Sequence, residues 1–452
     1  MAVSSSLERW RRGLAVYGDR RVLAIVFLGF SAGIPLALTG QTLAVWMKEA
    51  GVSLTTIGLF ALVGVPYVLK FLWAPAIDAF AVPVLGRALG RRRGWLVATQ
   101  ILLILAVVGL SRVDPVASPW ATVALALLVA FASASQDIVI DAFRIETLAP
   151  DQQAAGLATY SAGYRVAMLV STAGVFELVA VLQGHGLAGA AGWSVGYAAM
   201  AAMVLVGVAA ALALPEPPAA PAPGPRQGWQ ARLLRAVREP FAEFMSRDGW
   251  VAILLFVMLF KFGDAFAGIM TAPFVLDLGF DKTDYGRIVK VFGLGATLGG
   301  TLIGGIAVVA LGTRASLWAG ALIQAVSNLM FVAQVYVGRD YGFLVATIGV
   351  ENAAGGFGSA VFVAYLAGLC RDRAYTATQY ALLSALAAVG RTVLSASAGW
   401  FATVLGWPAF FLLTTLAAVP GLALLWLLMR RRWGFSDAAP ASAVRVSTTG
   451  AA

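Results

Sequence analysis

The chain holds one cysteine, Cys370, and one histidine, His185, among its 452 residues. A lone thiol excludes an intramolecular disulfide and any thiolate-bound metal cluster. A lone histidine, in a short stretch between apolar segments, leaves no set of imidazoles for a metal or for general acid–base work. No metal site and no cofactor are expected. Charge is equally scarce: Asp, Glu, Lys and Arg make up 12% of residues, against 60% hydrophobic ones. That balance is far from a soluble domain's, and it leaves no polar stretch long enough for a catalytic domain. The chain is therefore not expected to be an enzyme. The excess of Lys and Arg, 32 against 22 acids, does not call for nucleic acid, because membrane topology alone concentrates basic residues on one side.

What is present is apolar sequence in long blocks, the mark of an all-α polytopic membrane protein. Twelve segments reach the roughly 20 residues needed to cross hydrocarbon: 22–46, 54–80, 95–112, 119–142, 155–182, 192–214, 249–277, 285–311, 314–336, 341–369, 376–404 and 407–430. The first is too long for a signal peptide and lacks a convincing cleavage site, so it is expected to stay as the first span. With both termini cytoplasmic, the inner segments carry 22 arginines and the outer loops only Lys48, Arg112, Lys282 and Arg339. The positive-inside rule then orients the chain. A Pro-rich run, PEPPAAPAPGP at 215–225, reads as a solvated linker. After it, Gln230–Met245 reads as an amphipathic helix for the membrane surface, with Leu233, Leu234, Val237, Phe241 and Phe244 opposite its arginines. The expected organisation is a six-helix bundle over 1–214, a cytoplasmic linker over 215–248, a second six-helix bundle over 249–432 and a disordered tail over 433–452.

Charged residues inside such segments carry the functional signal. In SASQDIVIDAFR (133–144), Asp137, Asp141 and Arg144 fall on one helical stripe, with Ile138, Val139, Ile140 and Phe143 around the rest. An Asp at the middle of a membrane helix costs about 2.5–3.5 kcal/mol on insertion scales, which points to a water-accessible interior. For Asp141 and Arg144 the helix's cytoplasmic end, among headgroups, is the bland alternative. Six basic residues lie within spans: Lys70, Arg165, Lys261, Arg287, Lys290 and Arg391. Lys261 and Asp264, three apart on one helix, can neutralise each other. Arg165 and Arg391 recur in a weak internal echo, Gly163-Tyr164-Arg165 before LVSTAG in the fifth span and Gly390-Arg391 before LSASAG in the eleventh. Repeated six-helix units of this kind belong to one large transporter architecture.

Together these residues suggest a cavity for a bulky anion. Its expected lining is Lys70, Arg165, Lys261, Lys290 and Arg391, the amides Gln41, Asn352 and Gln379, and the tyrosines Tyr67, Tyr160, Tyr164 and Tyr380, whose rings and hydroxyls suit sugars. Importing an anion against an inside-negative potential costs about 2.3 kcal/mol per charge per 100 mV, so the proton gradient must drive accumulation. The carboxylates expected to carry the proton are, in order, Asp137, Asp264, Glu351 and Asp141.

The connection WAPAIDAFAVPVLGRALGRRRGW (73–95) resembles the loop signature of the major facilitator superfamily, G-x-x-x-D-x-x-G-R-R/K, with Asp78 and Arg91, Arg92 and Arg93 in the matching places. Here Trp73 or Ala74 replaces the leading glycine and Phe80–Arg87 is inserted. The resemblance implies an inner gate, to which Asp141 and Arg144 would add a second latch. Longer stretches, LGFSAGIPLALTG (28–40), TTIGLFALVGVPYVLKFLWAPAID (55–78), SASQDIVIDAFR (133–144) and GYRVAMLVS (163–171), are similar to the AmpG muropeptide permeases. The second half is similar through KFGDAFAGIMTAPF (261–274), ENAAGGFGSAVFVAYLAGLC (351–370) and TATQYALLSALAAVGR (376–391). The resemblance implies a proton-driven importer of N-acetylglucosaminyl-anhydro-N-acetylmuramyl peptides in a bacterial inner membrane. It further implies a place in peptidoglycan recycling and an influence on β-lactamase induction.

The expected fold is thus a twelve-helix major-facilitator transporter of two pseudo-symmetric bundles working by alternating access. Its partners are an anionic saccharide-peptide and the bilayer, with no nucleic acid, and a monomer is expected. An acetyl-CoA or other bulky-anion transporter, a multidrug exporter of the same fold, and a muropeptide sensor that does not transport are the other readings. An exporter would carry acids and aromatics with few cavity cations, the reverse of this chain.

Overall fold

The computed structural model describes residues 2–52, 56, 60–187, 189–218, 228–280, 284–395 and 397–435, and the side chains of Lys290 and Arg391 lie outside what it describes. Among the described residues there is helix and no strand. Among the described residues, ten helices are long and apolar enough to cross a membrane. Two shorter apolar helices, Leu62–Leu72 and Thr376–Val389, fall in the second and eleventh of the expected spans. The eleventh and twelfth share a helical run that breaks at Gly406, where φ is +71°, a conformation that favours glycine.

Local chemistry sets the helix ends. Asp19 opens the first span by accepting from the Arg21 amide at 2.8 Å, and Asp340 opens the tenth by accepting from Phe343 at 2.7 Å. Each acid answers an amide left over at a helix start. The amides of Arg92 and Arg93, at the start of the third span, are met from a distance by Glu216 of the linker, at 2.8 and 2.9 Å.

Several spans are irregular. Residues 38–42 of the first, 170–174 of the fifth and 285–292 of the eighth take the wider π form. The seventh is divided at Phe260 and Lys261 into Trp250–Leu259 and Phe262–Asp277. Interruptions of this kind are tolerated at membrane depth where neighbouring protein or a cavity answers the freed backbone groups.

Small residues let the helices approach. A Cβ at Gly163 of the fifth span would collide with the Val26 carbonyl oxygen of the first. Without a hydrophobic drive between helices in lipid, such close van der Waals packing is a main source of association.

The apolar core shows how the halves meet. One cluster, from Ile34 to Val204, belongs wholly to the N-terminal half, and another, from Phe266 to Phe411, wholly to the C-terminal half. The other two clusters mix the halves: Ala154 packs with Phe357 and Tyr365, and Ala377 and Ala381 pack with Ile138 and Ala142. The mixed clusters lie toward the face that carries the linker, here called the linker face. The halves are joined there and have separate cores toward the opposite face.

The linker helix spans Trp229–Met245, close to its expected bounds, but its apolar stripe is divided. Phe244 packs into the core together with Ala236 and Pro240, whereas Leu234, Val237 and Phe241 stay exposed. The boundary of the tail also moves. Trp433 lies against Gly249, and Phe435 stacks near Tyr365 beneath the Arg314 guanidinium. These aromatic side chains extend the second bundle's core past residue 432. The remaining tail, 436–452, and the run 219–227 of the linker lie outside the described residues.

Candidate substrate cavity and gate

The charged loop before the third span resolves into three different roles. Arg92 is fully buried and bridges Asp78 Oδ1 at 2.8 Å and Glu146 Oε1 at 2.6 Å. Arg91 donates to the backbone oxygens of Asp78 and of Arg373 across the halves, each at 3.2 Å. Arg93 turns away and donates to the carbonyls of Ala211 and Leu212 at the end of the sixth span. It therefore anchors a helix of its own half, while Arg91 and Arg92 serve the gate.

Asp78 ties the halves together. Its Oδ2 accepts from the Thr378 amide at 2.7 Å and the Thr378 hydroxyl at 2.8 Å. These groups open the eleventh span, whose unpaired amides and positive dipole end suit a carboxylate. Arg144, also buried, pairs with Asp141 at 3.4 Å, donates to Gln153 Oε1 at 3.0 Å and reaches the Tyr380 hydroxyl of the other half at 3.2 Å.

Tyr380 and Gln379, expected to line the cavity, are therefore at the gate. Tyr380 is buried against Arg144, and Gln379 donates to Glu243 of the linker helix at 3.0 Å. The eleventh helix begins at Thr376, which leaves both within a turn of the linker face. Glu146, Gln153, Thr378 and Glu216 were not singled out from sequence. For Glu146 a signal existed: an acid five residues past Asp141 and two past Arg144, near the end of the same helix.

Deeper in the molecule, each half presents a polar cluster. In the N-terminal half the Tyr160 hydroxyl donates to Asp137 Oδ1 at 3.5 Å, and the rings of Tyr160 and Tyr164 lie 5.8 Å apart. Lys70 and Asp141 are within electrostatic reach of Asp137. Tyr67 packs partly buried on the apolar cluster of the same half. Gln41 is exposed within the π turn of the first span.

In the C-terminal half Lys261 pairs with Asp264 at 3.0 Å and donates to Ser359 Oγ at 2.8 Å and the Gly355 carbonyl at 3.1 Å. The break in the seventh span frees this position to turn inward. Lys261 is thus already neutralised and held. Asn352 donates to Glu351 at 2.8 Å and accepts from the Thr297 hydroxyl at 2.9 Å.

A cavity of about 280 Å³ joins the halves. Arg165 of the fifth span lines it from one side, and Thr271, Thr297, Glu351 and Asn352 line it from the other. The structure thus brings Arg165, Glu351 and Asn352 together at the cavity, while Lys70, Asp137, Tyr160 and Tyr164 form a second group in which Tyr164 is within electrostatic reach of both Asp137 and Arg165. Lys290 and Arg391 are candidates whose side chains lie outside the described residues.

Such a site, a polar recess between two helical halves sealed at one face, is the layout of a transporter. The chain is 40% identical over 413 residues to the anhydromuropeptide permease of Escherichia coli K12, across 91% of this chain and 80% of that one. The chain belongs to the AmpG anhydromuropeptide permease family. Its fold is that of the major facilitator superfamily. It matches the major facilitator superfamily transporter FucP in the outward conformation with a TM-score of 0.66 at 11% identity, over 90% of this chain and 98% of that one. It matches the human organic anion transporter MFSD10 with a TM-score of 0.60 at 16% identity, over 90% of this chain and 99% of that one. A family profile described as acetyl-coenzyme A transporter 1 matches residues 21–178. As a member of the AmpG family, the protein is a multi-pass membrane transporter.

Proposed function

We propose that the protein imports anhydro-muropeptides across a bacterial inner membrane by proton-coupled alternating access, with its termini and linker face in the cytoplasm. The observation that carries the reading is the recess between the halves, where Arg165 of one half faces Glu351 and Asn352 of the other. A guanidinium suits a peptide carboxylate, and the amide and hydroxyls beside it suit an acetylated sugar or a peptide bond. At about 280 Å³, the recess takes one end of such a molecule, and the remainder extends toward the face opposite the linker. Permease relatives at 40% identity support the substrate class. Two halves rocking about this site would expose it to each side in turn.

Glu351 is the proton carrier in this reading. It lines the recess with an amide as its hydrogen-bond partner, whereas Asp264 and Asp141 each have a cation beside them. Proton and substrate charge are thereby felt at one place. No cofactor takes part, and one chain suffices.

The test is uptake of radiolabelled anhydro-muropeptide into proteoliposomes, with and without an imposed inward proton gradient. Gradient-driven accumulation is expected. Binding without accumulation would sink the transport reading and favour a sensor. A second reading, transport of acetyl-CoA or another bulky anion, rests on the family profile over residues 21–178. It predicts that excess acetyl-CoA abolishes uptake. Arg165→Ala is expected to weaken substrate affinity about 10- to 100-fold, the loss of one hydrogen bond to a charged group, with the melting temperature unchanged. Native affinity in that variant removes Arg165 from the site.

A further inference from the structure

Each half of the chain is preceded by a short helix outside the spans. Ala2–Ala15 precedes the first span, which begins at Arg20, and Trp229–Met245 precedes the seventh, which begins at Trp250. The connecting residues, 16–19 and 246–249, are equal in length, so each helix is tethered closely to its own half. Both helices nevertheless reach the second span of the opposite half.

On one side, Gly13 lies against the eighth span. A Cβ there would sit 2.7 Å from Ile306 Cγ2 and 2.9 Å from the Ile306 carbonyl oxygen. Tyr17, just past the helix, donates to the Leu302 carbonyl at 2.9 Å. On the other side, Arg232 of the linker helix donates to the Ala79 carbonyl at 2.6 Å, with its guanidinium 5.5 Å from the centre of the Phe80 ring. Ala79 is the last helical residue of the second span, beside the Asp78 gate.

The linker helix is also held to its own half. Arg247 pairs with Glu243 at 2.6 Å and donates to the Leu369 carbonyl at 2.8 Å, and Tyr375 bonds to Glu239. The helix therefore moves with the C-terminal half, and Arg232 is where it lets go of the other.

We propose that these two helices are a matched pair of straps, equivalent under the pseudo-symmetry of the halves, that hold the linker face closed and release Leu302 and Ala79 when it opens. The straps rest on the alternating-access reading but on no particular solute. They sit outside the gate formed by Asp78, Arg92 and Thr378, and bias it from both edges.

The only cysteine in the chain, Cys370, gives the readout. It is half-buried at the end of the tenth span, bonded to the Leu366 carbonyl at 3.5 Å, and within electrostatic reach of Asp78, Asp141 and Arg144 of the other half. Burial holds its thiol above the usual range, so it reacts slowly while the face is closed. The experiment is the initial rate of N-ethylmaleimide alkylation of Cys370 in the full-length protein, without substrate.

Arg232→Ala is expected to raise the rate about tenfold, from one lost hydrogen bond to a charged donor, and Tyr17→Phe about threefold, from one neutral one. The double variant should multiply the two factors, and Arg232→Lys should stay near the native rate. Leu234→Ala, on the exposed side of the same helix, should label as the native protein does. A native rate in either Arg232→Ala or Tyr17→Phe overturns the paired assignment. So does a rise in Leu234→Ala as large as that in Arg232→Ala. Because no solute is needed, a failure here is distinct from a failure of the substrate reading.

Discussion

Four intramembrane carboxylates differ in what stands next to them, and that difference separates their roles. Asp141 lies beside a buried Arg144 at 3.4 Å and Asp264 beside Lys261 at 3.0 Å. A carboxylate answered by a fixed cation has little reason to exchange its proton as substrate arrives. Glu351 has Asn352 as its hydrogen-bond partner, feels the Lys261–Asp264 pair only from a distance, and opens onto the recess with Arg165. Glu351→Gln is therefore expected to keep substrate binding and lose the response to a proton gradient. One pH unit is worth about 1.4 kcal/mol, or tenfold accumulation per proton, and this tenfold gain should vanish in proteoliposome uptake. If the variant still accumulates substrate in step with the gradient, Asp137 becomes the carrier to test. The sequence order placed Asp137 and Asp264 ahead of Glu351; helical spacing offered Lys261 as a partner for Asp264, but only the packed helices show which carboxylate opens onto the recess with Arg165.

At the scale of helices, the first and fifth spans pack backbone against backbone through glycine. A side chain at Gly163 has no room beside the Val26 carbonyl, so Gly163→Val must push the two helices apart. Overpacking of this sort costs about 1–3 kcal/mol, and a thermal melt in detergent should register it as a lower midpoint. An unaltered melt would mean the fifth span yields without consequence. The fifth span also carries Arg165, Tyr160 and Tyr164, so its spacing from the first sets where these side chains point. The sequence showed that this segment is a helix and that its small residues echo those of the eleventh. It did not show that Tyr160 would meet Asp137 while Tyr380 would meet Arg144. The eleventh span starts at Thr376, so Tyr380 sits too near its end to reach the recess. That distance was available from the expected boundary at 376.

For the molecule as a whole, the joined cores at the linker face and the separate cores opposite describe one end of a transport cycle. Asp78 is the hinge of this state, since it serves Arg92 of its own half and the start of the eleventh span at once. Asp78→Asn keeps the size and removes the charge. It weakens charge-assisted bonds worth about 1.5–3 kcal/mol, so the population open at the linker face should rise about 10- to 100-fold. Faster amide exchange over residues 371–379 would register the shift, and unchanged exchange there would remove Asp78 from the gate. Composition and periodicity by themselves determined that this chain lives in a bilayer, where its helices run, and which of their faces carry charge, because uninterrupted apolar runs of about 20 residues satisfy their backbone in hydrocarbon as helices. Only the tertiary structure decided that Asp78 would close on Thr378, that Tyr380 would meet Arg144, and that Arg165 would face Glu351. Residues some 300 positions apart meet through the packing of whole helices, and the period of any one helix carries no record of that packing.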